Sequence, residues 1–97
     1  MKIKHEESAG RFVAGLDEGA EAVLDYARVS ADTLDYRHTF VPPEHRGRGV
    51  AGRLVRHALD YAREQGLKVI PSCPFVAEVM REHPEYAPLR AEQREPH

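Results

Sequence analysis

Between residues 41 and 52 the chain reads Val41-Pro42-Pro43-Glu44-His45-Arg46-Gly47-Arg48-Gly49-Val50-Ala51-Gly52, and few folds can accommodate that string. It leaves an alternating, strand-like segment and runs straight into the most amphipathic stretch of the chain. Neither Pro42 nor Pro43 can donate a main-chain hydrogen bond, so a strand ladder stops there. Gly47, Gly49 and Gly52 leave the main chain bare, and their amide N–H groups can approach an anion with no Cβ in the way. The first turn of the following helix adds unpaired N–H groups and the positive end of its dipole. These features predict a phosphate cradle. Arg46 and Arg48 flank it, and charge-assisted hydrogen bonds from each could contribute roughly 1.5–3 kcal/mol.

Spacing tests the known cradles. A P-loop requires G-x-x-x-x-G-K-[ST], and no lysine follows these glycines. Gly47-Arg48-Gly49-Val50-Ala51-Gly52 satisfies the dinucleotide fingerprint G-x-G-x-x-G letter for letter. In that fold, however, the glycines close the strand directly and an acidic residue ends the next strand to hold a ribose. Here residues 42–46 intervene, and the next strand ends Val69-Ile70-Pro71-Ser72 with no carboxylate.

Upstream of the glycines the periodicity is that of strands. Residues 1–6, 11–16, 20–29 and 33–41 form four such segments, joined by short turn-prone connections at 8–10, 17–19 and 30–32. Short connections predict an antiparallel meander. In the fourth segment, strict alternation would place Leu34, Tyr36, His38 and Phe40 on one face and Asp35, Arg37, Thr39 and Val41 on the other. Downstream the period becomes helical over residues 49–65, with Val50, Leu54, Ala58 and Ala62 in one apolar stripe beside Val55 and Leu59. Gly66 stands where a left-handed residue would end that helix. Residues 67–70 read as a short strand, parallel to the fourth because a helix joins them. Pro74 suits the first turn of a last helix over 75–81. Tyr86, Pro88 and Leu89 are expected to pack back on the body, and residues 90–97 to fray. The whole predicts an α+β fold in one domain spanning residues 1–97.

With 14 Lys and Arg against 16 Asp and Glu, a formal net charge of −2 gives no bulk support for polyanion binding. The absence of aromatics interleaved with His45, Arg46, Arg48, Arg53 and Arg56 argues further against a nucleic-acid role. The one cysteine excludes an internal disulfide. The opening Met1-Lys2-Ile3-Lys4 lacks a signal-peptide apolar run, and no segment approaches the ~20 apolar residues of a membrane span. A cytoplasmic protein is expected. The histidines form no metal-ligand pattern, so no metal is expected.

Arg46-Gly47-Arg48-Gly49-Val50-Ala51 resembles the [RQ]-x-x-G-x-[GA] pyrophosphate loop of the GNAT superfamily of N-acetyltransferases. The run His38-Thr39-Phe40-Val41-Pro42-Pro43-Glu44-His45-Arg46-Gly47 and the later Ile70-Pro71-Ser72-Cys73-Pro74-Phe75-Val76 resemble its small single-domain branch. The likeness covers roughly residues 3–90. It implies a GNAT-like fold, with the fourth and fifth strands splayed and pantetheine between them. It further implies acetyl-CoA as co-substrate and an amine acceptor as partner. Thr39, Phe40 and Val41 would pair with the pantetheine arm through their main chain. Arg46, Gly47, Arg48, Gly49, Val50, Ala51 and Gly52 would hold the pyrophosphate. The family's usual opening helices find no counterpart, which leaves the acceptor side open or dependent on a partner chain. Neither the acceptor nor the oligomeric state is legible.

Cys73 follows the fifth strand near where the resemblance puts the thioester, and the adjacent helix N-terminus lowers a thiol's pKa. It could carry the acetyl group as a nucleophile or protonate the departing CoA thiolate, while burial as a small hydrophobe is the usual state of a free cysteine. His38 is the candidate base for the acceptor ammonium, since imidazole takes protons near neutral pH; packing within the strand is its other reading. Tyr86 and Glu78 are lesser candidates for acid and base. A CoA-binding regulatory module without catalysis is the alternative function.

Overall fold

A computed structural model describes residues 1–91. Five strands form one sheet in sequential order: β1 (Lys2–Glu6), β2 (Arg11–Gly15), β3 (Glu21–Ser30), β4 (Thr33–Phe40) and β5 (Lys68–Ile70). The first four pair antiparallel, and β5 joins β4 in parallel after the crossover helix α1 (Val50–Glu64). A second helix, α2 (Pro74–Glu82), follows β5 with Pro74 in its first turn. Gly66 (φ +69°) ends α1, and Leu67 N–H returns to the Ala62 carbonyl at 2.8 Å. The meander, crossover and parallel fifth strand therefore stand as the periodicities predicted.

One face of the sheet is apolar because every second residue is. Phe12, Ala14, Ala22, Leu24, Leu34 and Tyr36 are buried there against Leu54, Val55, Ala58, Leu59 and Ala62 of α1. α2 and a 3-10 segment, Pro84–Leu89, pack beside α1, so Tyr86 and Leu89 complete the same core. The Tyr36 hydroxyl donates to the Ala58 carbonyl at 2.6 Å, which ties β4 to α1. On the opposite face Lys2, Lys4, Glu21, Asp25 and His38 are exposed.

β4 departs from strict alternation. Tyr26 pairs with Tyr36 but Asp25 pairs with His38, so Arg37 is an extra residue at a β-bulge. A single inserted residue exchanges the faces of everything after it. Thr39, opposite the fully buried Leu24, joins the Tyr36 face, and Val41 beyond the strand is buried. His38 and Phe40 move to the open face, contrary to the expected grouping with Leu34 and Tyr36.

Fraying does not begin at residue 90. Arg90 bridges to Val69 in parallel, and Ala91 N–H donates to the Val69 carbonyl at 2.9 Å, because β5 otherwise has a bare edge. The expectation for residues 92–97 lies outside the described residues.

Candidate functional site

β4 and β5 stay paired for only three residues, Thr33 with Lys68 through Asp35 with Ile70. Beyond Asp35 the strands part, and the one main-chain link across the fork is Cys73 N–H to the Tyr36 carbonyl at 2.9 Å. From there β4 runs to Phe40 without a strand on that side. A short 3-10 turn, Pro43–His45, then lifts the chain from the sheet to the glycine loop.

The loop turns on two left-handed residues, Gly47 (φ +81°) and Gly49 (φ +77°). An L side chain at either would be strained. Gly49 is the residue before α1, and no side chain among the described residues caps the helix. The first intrahelical bond runs from Arg53 N–H to the Gly49 carbonyl at 3.1 Å, so the amides of Val50, Ala51 and Gly52 precede it and have no helical acceptor. Gly52 is the informative one. It lies within α1 at an ordinary helical φ, and a Cβ there would meet nothing within 4 Å. Glycine in a helix costs about 0.5–1 kcal/mol relative to alanine, and neither φ nor packing within the protein accounts for it. Gly52 is among the residues that line the groove.

Two adjoining cavities make that groove. One, of about 280 Å³, is lined by Val41, His45, Arg46, the loop and the first turn of α1, and Phe75. The other, of about 330 Å³, continues along β4 past His38, Thr39 and Phe40 and shares Val41, Arg46, Ala51 and Phe75 with the first. Arg46 stands at their junction: its Nε donates to the Val41 carbonyl at 2.9 Å, and its guanidinium lies 6.0 Å from the centre of the Phe40 ring. Arg48 is exposed on the loop. Arg46, Gly47 and residues 49–52 on one side, with Thr39, Phe40 and Val41 on the other, thus border one groove, whose two ends differ. At the loop end stand donors and positive charge; along β4 stand Phe40, Val41 and Phe75. The residues present fit a ligand with an anionic head and a narrow, partly apolar arm.

Cys73 occupies the position just before α2 and is 5% exposed. Its Sγ lies 3.5 Å from Thr39 Oγ1 across the fork. The bulge makes that contact, since it turns Thr39 toward the helices. The same bulge separates the two catalytic candidates: His38 is exposed on the other face, opposite Asp25, while still lining the groove through β4. Tyr86 is elsewhere. Its hydroxyl donates to Asp60 on α1 at 2.9 Å, and burial beside that carboxylate raises its pKa. Glu78 is an exposed residue of α2. Phe75 and the Thr39 hydroxyl were not among the side chains singled out from sequence. Among the described residues, no three His, Cys, Asp or Glu side chains are grouped to hold a metal ion, and no helix is long and apolar enough to cross a membrane.

Comparison with known proteins bears on the fold and the family. Residues 11–89 match a family model described as GCN5-related N-acetyl-transferase. The zebrafish Protein NATD1 is 33% identical over 89 residues, covering 89% of this chain and 81% of its own length. The human Protein NATD1 is 33% identical over 85 residues, covering 87% of this chain and 75% of its own. A GCN5-like protein from Staphylococcus aureus, solved by NMR in solution, superposes with a TM-score of 0.72 at 31% identity, covering 99% of this chain and 93% of its own. The chain belongs to the GCN5-related N-acetyltransferase family.

Proposed function

We propose that this acetyltransferase moves an acetyl group from acetyl-CoA to a primary amine, with the pyrophosphate on the glycine loop and the pantetheine arm along β4. The observation that carries the assignment is Gly52, a helical glycine with empty space where its Cβ would stand, beside three amides that have no helical acceptor. Arg46, fixed on the Val41 carbonyl, supplies charge at the bend between the loop and strand sections of the groove. Main-chain groups of Thr39, Phe40 and Val41 hold the arm on the side of β4 that has no strand partner.

The acceptor enters as an ammonium and must lose a proton before its nitrogen can attack. His38 is our candidate for that base, acting through water because it lies on the open face. The nitrogen lone pair forms a bond to the acetyl carbon, the carbon–sulfur bond breaks, and the thiolate takes a proton. The Cys73 thiol, held by Thr39, is our candidate for the group that protonates it or that first accepts the acetyl carbon itself. A lone, buried thiol suits a reducing compartment, and we assign the activity to the cytoplasm.

Calorimetry with CoA, run beside turnover of acetyl-CoA against an amine panel, tests the assignment. Binding in the micromolar range with acetylated amine as product is expected. Failure of CoA to bind would end it, and binding without turnover on any amine would return the chain to a binding module.

A further inference from the structure

The acceptor side of the fork carries one group the acetyl-transfer reading does not use. Asp35 is the last residue of β4 paired with β5, on the open face of the sheet. Its carboxylate is 13% exposed, and Oδ1 is buried with no hydrogen-bond partner among the described residues. A carboxylate oxygen sealed from water without a donor is destabilising. Its cross-strand neighbours cannot relieve it: Ala27 on β3 and Ile70 on β5 bring only hydrocarbon. Arg37 reaches the other oxygen, Nε to Oδ2 at 3.1 Å, from a side chain that is 59% exposed. Such an arm is held by one partner and is free to swing away. Asp25, next outward-facing residue on β3, adds a second carboxylate to the same face.

We propose that Asp35 anchors a positive charge of the acceptor, and that the acceptor is an aliphatic polyamine whose second ammonium sits there while its reacting amine reaches the fork. This rests on the acetyl-transfer reading. The ammonium donates to Oδ1, the oxygen that no group among the described residues serves, and displaces Arg37 from Oδ2. Asp35 faces the open side and Thr39 the helices, so the acceptor passes through the fork to reach Thr39 and Cys73, and the four strand steps between the two residues amount to about 13 Å. A chain with amines at both ends spans that interval, and a monoamine cannot occupy both positions.

The test compares acetylation of spermidine with that of n-butylamine by the wild type and by Asp35→Asn. A hydrogen-bonded charge at Asp35 predicts that the wild type favours spermidine in kcat/KM by about tenfold or more, and that the variant loses this preference. An unchanged preference in the variant overturns the anchor. Should Asp35→Asn fold poorly, Ala27→Lys supplies an ammonium from the neighbouring strand and is expected to abolish the preference in the same way. An NMR titration separates the anchor from the reading beneath it. With CoA bound, spermidine should move the amides of Ala27, Asp35 and Ile70 in the wild type and not in Asp35→Asn; still amides in the wild type overturn the anchor alone. If CoA itself leaves residues 47–52 unmoved, acetyl transfer falls and the anchor's role falls with it.

Discussion

The Thr39 hydroxyl and the Cys73 thiol meet at 3.5 Å across the point where β4 and β5 separate. They are 34 residues apart in sequence and are joined only because Arg37 bulges out of β4 and shifts every later residue to the other face. A strand without the bulge would present His38 or Phe40 to Cys73 instead.

Replacing Cys73 with Ala therefore separates packing from chemistry. We expect about 1 kcal/mol of lost stability from the buried sulfur and a fall in kcat of about a hundredfold or more, with CoA affinity retained. Thr39→Val, which keeps shape and removes the hydroxyl, should lower kcat in the same direction by a smaller factor. Unchanged turnover in Cys73→Ala would remove both roles assigned to the thiol.

Gly52→Ala should pull stability and binding in opposite directions. Alanine suits the helix better by about 0.5–1 kcal/mol, and its methyl meets no protein atom within 4 Å. The thermal midpoint should rise. The same methyl narrows the approach to the first-turn amides, so CoA affinity should drop by about tenfold. A more stable protein that binds CoA as well as before would show that Gly52 is not there for the ligand.

Arg46→Gln removes a charge at the bend of the groove and the bond to the Val41 carbonyl. CoA affinity is expected to fall about ten- to a hundredfold, and the remaining binding should respond less to salt because one ionic contact is gone. Calorimetry at two salt concentrations checks both. Equal affinity in the variant would place the anion elsewhere.

His5 supplies a pH dependence away from the groove. Its ring stacks on Phe12 at 4.1 Å and its Nε2 shares a 2.6 Å hydrogen bond with the Tyr26 hydroxyl. Burial lowers its pKa below the ordinary 6.5, outweighing the nearby Glu7, which raises it, while His57 lowers it further. The folded state therefore binds this proton less readily than the unfolded chain. The stabilisation is fully present above pH 6.5 and is lost as pH falls from there through the lowered folded pKa. Urea unfolding at pH 7.5, 6.5 and 5.5 should show stability decreasing toward acid, with a shallower decrease in His5→Gln. Identical slopes in the two proteins would contradict the assignment.

Much of the scaffold was legible in single residues. Alternation in the four β segments, the 3.6-residue stripe of Leu54, Ala58 and Ala62, and the glycines before the helix each report a local backbone requirement. The bulge at Arg37 was not legible in this way. It depends on how β3 and β4 settle against α1, where Tyr36 reaches the Ala58 carbonyl, and local alternation carries no record of that contact. Every expectation that depended on the far half of β4 inherited the error in face, His38 most of all. Phe75 escaped notice for a related reason. Its place beside Ala51 and Val41 comes from the docking of α2, which no spacing encodes.

Arg90 and Ala91 have a consequence out of proportion to their chemistry. With Arg90 laid alongside Val69 and Ala91 N–H donating to the Val69 carbonyl, they shield a three-residue strand that would otherwise offer its main chain to any passing extended peptide. A chain cut at residue 89 would keep the glycine loop and Cys73 yet gain an adhesive border. Its first failure would be precipitation in the tube, well before any loss of catalytic groups.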